Sequence, residues 1–180
     1  MALLRGRGVT DQEEAMSTAD RSYVAFVEVA WRRHIRLAML LTGDRWRAEE
    51  LLQDSLVKVY ERWRRLSRLD DPHAYLRRAL VNNHTSGWRR RRRENLVADV
   101  PDRAAPASDV GPDALVLRGA LMSLPAKQRA VVVLRHYEDL TEREVAKVLG
   151  CSLGTVKSQN AKALDKLRHL LDESSYAVSR

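Results

Sequence analysis

The chain has 180 residues, 44% hydrophobic and 31% charged, with a formal net charge of +8 at pH 7 and a pI near 10.0. That length suits one or two small domains with packed cores, and the surplus of Lys and Arg points to a polyanionic partner. The single cysteine, Cys151, excludes an internal disulfide, and with no run near the roughly 18 apolar residues of a membrane span the chain reads as cytoplasmic.

Charge is unevenly placed. Residues 21–94 carry 18 Lys/Arg against 9 Asp/Glu, residues 114–180 carry 11 against 7, and residues 95–113 carry 1 against 4. Two basic blocks therefore flank a short acidic one.

Residues 1–20 have little periodicity and read as a disordered leader, with Met16 as an alternative start. A first helix is expected from about Tyr23 to Leu41. Phe26, Val27, Ala30, Trp31, Ile35, Ala38 and Leu41 recur at helical spacing, and Thr42 and Gly43 end the run. Asp44 caps a second helix that is expected to reach about Arg64, with Leu52, Leu56, Val59, Tyr60 and Trp63 on its apolar face. Glu49, Glu50, Gln53, Asp54 and Lys58 form its polar face. The early carboxylates suit the positive end of the helix dipole, and plain solvation would give the same pattern.

Leu66–Asp71 reads as a loop, and Pro72 falls at the first position of a third helix with Asp71 as its cap. Tyr75, Leu76, Ala79 and Leu80 face inward. The second half of this helix carries Asn82, Asn83, His84, Thr85, Ser86 and Trp88, then five arginines, Arg89–Arg93. Amides read unpaired base edges, an indole stacks on a base and an arginine run follows phosphates, so this set suits single-stranded nucleic acid. The competing reading is that Trp88 is core and the arginines only complement the helix dipole.

Residues 94–113, rich in Ala, Pro, Asp and Gly, read as an inter-domain linker. The second block, 114–172, opens with a short helix marked by Leu115, Leu117, Leu121 and Leu124. Pro125 starts another, through Val131, Val132, Leu134 and Tyr137. This pair is expected to pack under the motif that follows. Thr141 with Glu144 has capping-box spacing, Val145, Val148 and Leu149 mark one buried face, and Gly150 suits a positive φ after the helix. Ser152 caps the next helix, whose inner stripe is Val156, Leu164, Leu167 and Leu171. Two helices joined so tightly fit a helix-turn-helix, whose second helix enters the major groove. Thr155, Lys157, Ser158, Gln159 and Lys162 cluster on its outer face; these side-chain types contact base edges and phosphates. A helical hairpin with a solvated polar face would share this pattern. Residues 173–180 form a short polar tail.

No phosphate-cradling glycine loop, metal-spaced His/Cys cluster or paired nucleophile and base occurs, so the chain reads as a non-enzyme with no cofactor and no metal. The expected fold class is all-α, with two small helical domains.

Taken in order, TGDRWRAEELLQDSLVKVYERW, DDPHAYLRRALVNNHTSGWRRRRR, a linker and LPAKQRAVVVLRHYEDLTEREVAKVLGCSLGTVKSQNAKALDKLR resemble the extracytoplasmic-function (ECF) group of bacterial RNA polymerase sigma factors. The likeness runs over about residues 22–170 and is strongest to the short actinobacterial branch labelled SigE. It implies a region 2 domain at 21–93 that binds the polymerase clamp and melts the −10 element. It implies a region 4 domain at 114–172 that binds the flap tip and reads the −35 element. Carried over by residue, Glu50, Gln53 and Asp54 would meet the clamp. The loop containing Asp70 and Asp71, together with Asn82, would capture a flipped −10 base. Asn83, Trp88, Arg89, Arg90 and Arg91 would hold the melted strand, and Thr155, Lys157, Ser158, Gln159 and Lys162 would read the −35 major groove. The resemblance also implies an anti-sigma factor as a partner beside core polymerase and promoter DNA. Gln159 stands where many members carry Arg, and Asn160 where members often carry an apolar residue. Two other readings compete. One is a stand-alone regulator resembling LuxR-type proteins over its last 60 or so residues. The other is a scaffold or anti-sigma-like protein whose basic helices bind acidic surfaces.

Overall fold

A computed structural model describes residues 18–68, 71–94 and 111–178, and every regular element among them is helical. In chain order the helices are α1 (Thr18–Thr42), α2 (Arg45–Tyr60), α3 (Trp63–Leu66), α4 (Pro72–Glu94), α5 (Pro112–Ser123), α6 (Ala126–His136), α7 (Glu142–Leu149) and α8 (Leu153–Val178). The all-α expectation holds. The expected leader lies mostly, and the expected linker mainly, outside the described residues.

Local chemistry sets most helix starts. Asp44 Oδ1 accepts from the Arg47 amide at 2.9 Å and opens α2, and Asp71 Oδ1 accepts from the Ala74 amide at 3.1 Å and opens α4. Thr141 and Glu144 form a reciprocal capping box at α7, and Ser152 Oγ accepts from the Thr155 amide at 3.1 Å at α8. Each cap satisfies an amide that the first helical turn leaves without a backbone partner. Gly150, at φ 62°, ends α7 in the left-handed conformation that glycine adopts without a Cβ clash.

α1, α2 and α4 pack around Ala30, Leu37, Leu41, Leu52, Val59, Leu76 and Leu80, all essentially inaccessible. Each such leucine stabilises the fold by roughly 1.5–3 kcal/mol relative to exposure. A second cluster, Leu121, Leu124, Val132, Ala163 and Leu167, seats α5 and α6 against α8, so the helix pair packs under the helix-turn-helix as expected.

The structure corrects the sequence reading at several places. The second helix ends at Tyr60 rather than near Arg64, and the chain restarts in the short α3. Trp63 explains the break. Its Nε1 donates to Ser22 Oγ at 2.8 Å and its ring meets Tyr23 and Phe26 at centroid distances of 5.3 and 4.8 Å. Tyr60, expected on the apolar face, is half exposed and donates to Asp20 at 3.0 Å. Leu115, Leu117, Tyr137 and Leu171, expected inside, are exposed, while Leu37, Val133 and Ala163 take buried places not assigned to them.

Candidate nucleic-acid interface

The first surface is a groove where α2 and the bend after it meet α4. Lys58, Arg62, Tyr75, Arg78, Asn82 and Asn83 are among the residues lining a recess of about 390 Å³, within the size of small-ligand sites. Glu61 lines it too, 3.6 Å from Arg62, but three cations against one carboxylate leave the groove net positive and favourable to phosphate, and Tyr75 and Asn82 add a ring and an amide for a base. The aromatic packing of Trp63, with Tyr23 Oη donating to Leu56 O at 2.8 Å, fixes the bend that forms one wall.

The two adjacent asparagines differ. Asn82 is exposed. Asn83 is half-buried and its amide is engaged at both ends: Nδ2 donates to Ser55 Oγ at 2.9 Å, and Oδ1 accepts from Lys58 Nζ. Ser55, fully buried, donates in turn to Leu51 O at 2.7 Å. Asn83 thus ties α4 to α2 and holds Lys58 at the groove, while Asn82 presents its amide to solvent. Asp71 is exposed and spends one carboxylate oxygen on the α4 cap. Asp70 lies outside the described residues. Trp88, Arg89, Arg90 and Arg91 continue the α4 backbone, and their side chains lie outside the described residues.

The second surface is the start of α8. Thr155, Ser158 and Lys162, at i, i+3 and i+7, share one exposed stripe. Gln159 is half-buried at its edge. Lys157 flanks it from the other side, 3.9 Å from Glu142 of α7. The structure gives Asn160 a role: it faces back toward α6, with Oδ1 3.2 Å from His136 Nε2, and so joins the two helices.

A third surface runs along the outside of α2. Glu50, Gln53 and Asp54 are all exposed there. Trp46, 77% exposed, and Val57, 57% exposed, extend the same face one turn in each direction. The sequence reading missed both, although their spacing from Glu50 and Gln53 places them on that stripe. Among the described residues, no group of three or more His, Cys, Asp or Glu is placed to hold a metal, and no helix is long and apolar enough to cross a membrane.

Comparison with known proteins covers both basic units. The Sigma-70 region 2 family model matches residues 28–94, and the Sigma-70, region 4 model matches residues 120–169. The chain is 40% identical over 140 residues to the RNA polymerase sigma-E factor of Streptomyces avermitilis, covering 77% of this chain and 78% of that protein. It is 31% identical over 175 residues to the ECF RNA polymerase sigma factor SigE of Mycolicibacterium smegmatis, covering 88% of this chain and 66% of that one. A solved structure of the sigma factor RpoE in complex with the anti-sigma factor NepR from Bartonella quintana matches with a TM-score of 0.69 at 26% identity, over 84% of this chain and 98% of that one. CnrH in complex with the cytosolic domain of CnrY shares the fold, with a TM-score of 0.58 at 22% identity, over 85% of this chain and 89% of that one.

Proposed function

The chain belongs to the extracytoplasmic-function group of the sigma-70 family, and on that premise we propose how its surfaces divide the work of initiation. The protein is an RNA polymerase sigma factor: it binds core polymerase and promoter DNA and directs promoter-specific transcription initiation. The observation that carries this is the ordered pair of region 2 and region 4 matches on one chain. A stand-alone LuxR-like regulator leaves the match over residues 28–94 without an account, and a scaffold leaves both without one.

Residues 21–93 form the region 2 unit and 114–172 the region 4 unit, joined through 94–113. In the first, the groove beside Asn82 takes an unstacked −10 base. Asn82 supplies the amide that reads its edge and Tyr75 a ring to stack on, while Lys58, Arg62 and Arg78 hold the flanking phosphates. Asp70 and Asp71 border this site, and Trp88 with Arg89, Arg90 and Arg91 follows the melted strand. Asn83 acts as a positioning residue, since its amide is already engaged by Ser55 and Lys58. In the second unit, Thr155 and Ser158 face base edges of the −35 major groove, Lys162 farther along the same stripe meets a flanking phosphate, and Lys157 and Gln159 stand at the two edges. The face of Glu50, Gln53 and Asp54, widened by Trp46 and Val57, meets the polymerase clamp, and the exposed indole is the natural anchor of that contact. As an initiation factor the protein does its work in the cytoplasm without chemistry of its own. The RpoE relative is seen with an anti-sigma factor, and a comparable inhibitory partner is proposed for this chain.

Element-specific loss tests this division. Holoenzyme carrying Asn82→Ala should lose discrimination among −10 variants and keep it at −35. Ser158→Ala should do the reverse. Loss at both elements from either change would refute the assignment.

A further inference from the structure

Three recesses of the first unit meet at one side chain. Glu61 lines the groove beside Asn82, the recess against Ala19 and Asp20, and the one that reaches Ser86 and Gly87. Its place is set by the backbone. Glu61 follows the last residue of α2, and its amide donates to Val57 O at 3.0 Å while the Arg62 amide donates to Val59 O at 3.1 Å. The flanking aromatic residues are anchored to α1: Tyr60 donates to Asp20 at 3.0 Å, and buried Trp63 donates to Ser22 at 2.8 Å. The Glu61 backbone is therefore held at the groove rim, with its side chain 61% exposed.

The other polar groups of the groove do not tell one base edge from another. Lys58, Arg62 and Arg78 only donate, and strand phosphates engage them. Asn82 offers both an acceptor and a donor, so its amide turns to suit any edge. The Asn83 amide is already engaged at both ends, and Asp71 spends Oδ1 on the α4 cap. Among the described residues, Glu61 is the carboxylate that lines the recess, and a carboxylate accepts without donating. Its Oε2 faces Arg62 Nη1 at 3.6 Å, and Oε1 is not engaged among the described residues.

Base chemistry supplies the consequence. An unpaired base shows its Watson–Crick edge. Cytosine carries the N4 amino donor and adenine the N6 amino donor, whereas thymine shows the O4 carbonyl where cytosine has its amino group. A carboxylate accepts from either amino group and is repelled by the carbonyl.

We propose that Glu61 is a specificity-determining residue of the groove: it selects a captured base with the amino group of cytosine C4 or adenine C6 and rejects thymine. The proposal rests on the reading of the groove as the −10 base site and adds the class of base it takes. The same carboxylate repels phosphate, so it lowers affinity for the strand as a whole while raising selectivity.

The test is competitive binding of holoenzyme to promoter DNA with a pre-melted −10 region. Each position of the exposed strand carries, in turn, cytosine or uracil, and adenine or purine. Uracil exchanges the C4 amino group for a carbonyl, with the hydrogen that N3 gains, and purine is adenine without its amino group. The informative position is the one where Asn82→Ala erases discrimination. There the parent should favour cytosine over uracil by about tenfold and adenine over purine by about fivefold. Glu61→Gln, whose amide both donates and accepts, should bring both ratios within about twofold, and it should bind the uracil strand more tightly than the parent does. Glu28→Gln, which removes the same charge from an exposed site on α1, should keep the parent's ratios. A parent that prefers uracil or does not distinguish the pair overturns the proposal. So does a Glu61→Gln holoenzyme that keeps the parent's ratios, or a Glu28→Gln holoenzyme that loses them equally. If Asn82→Ala alters discrimination at no position, the groove reading itself fails, and the proposal with it.

Discussion

Asn82 and Asn83 are neighbours in sequence with opposite expected phenotypes. Asn83→Ala removes the N–H donor to buried Ser55 Oγ and the acceptor of Lys58 Nζ. The exposed Lys58 recovers its loss in water, so the Ser55 contact dominates. Losing a buried bond of this kind costs about 1–2 kcal/mol, and a chain of this size should melt about 3–6 °C lower. Asn82 is exposed, so Asn82→Ala should leave stability within about 0.5 kcal/mol. Its effect belongs to DNA: an amide reading a base edge contributes about 1–3 kcal/mol of discrimination, a 5- to 150-fold loss at the affected −10 position. Thermal melting of the free proteins, beside open-complex formation by the holoenzymes, separates the two effects. The reasoning fails if Asn82→Ala melts as early as Asn83→Ala, or if Asn83→Ala leaves the melting temperature unchanged.

Other outcomes are equally specific. His34 is fully buried 3.2 Å from His73, and burial, then the charges of His73, Arg77 and Arg33, push its pKa down to about 3. The unfolded chain therefore takes up the proton first, near pH 6.5, and stability should fall as pH drops from there toward 3. At about pH 4.5 the loss from this group should be about 2–3 kcal/mol, read by urea titration, and His34→Gln should flatten the slope. Lys162→Ala should weaken region 4 binding evenly across sequences and lower the salt slope by about one, measured by fluorescence anisotropy over a salt series. Gly150→Ala and Gly43→Ala both force a side chain into positive φ, at a cost of about 1–2 kcal/mol. Only Gly43→Ala also meets Met122, so it should melt lower than Gly150→Ala in calorimetry.

Caps and turns were legible because their chemistry is local. Asp44, Asp71, Thr141 with Glu144, Gly150 and Ser152 each act within three or four residues of their own position, and the structure bears them out. What escaped depends on partners far along the chain. No proline or glycine marks the break after Tyr60; it follows from the pull of Trp63 toward Ser22, Tyr23 and Phe26. The burial of His34 depends on His73, and the burial of Arg129 on a carbonyl 88 positions away. At the groove, the asparagine pair was visible as a nucleic-acid signal, but the division between an engaged and a presented amide needed Ser55 and Lys58 in place. Trp46 was readable from helical spacing alone, yet an exposed aromatic on an acidic face draws notice only once its exposure is known.

Run-off transcription on a pool of genomic promoter fragments, using core RNA polymerase from an actinobacterium with and without this protein, tests the central claim most directly. Protein-dependent transcripts should start from a defined subset of fragments that share two spaced elements. Failure of the chain to bind core polymerase, with no protein-dependent transcripts, would contradict it.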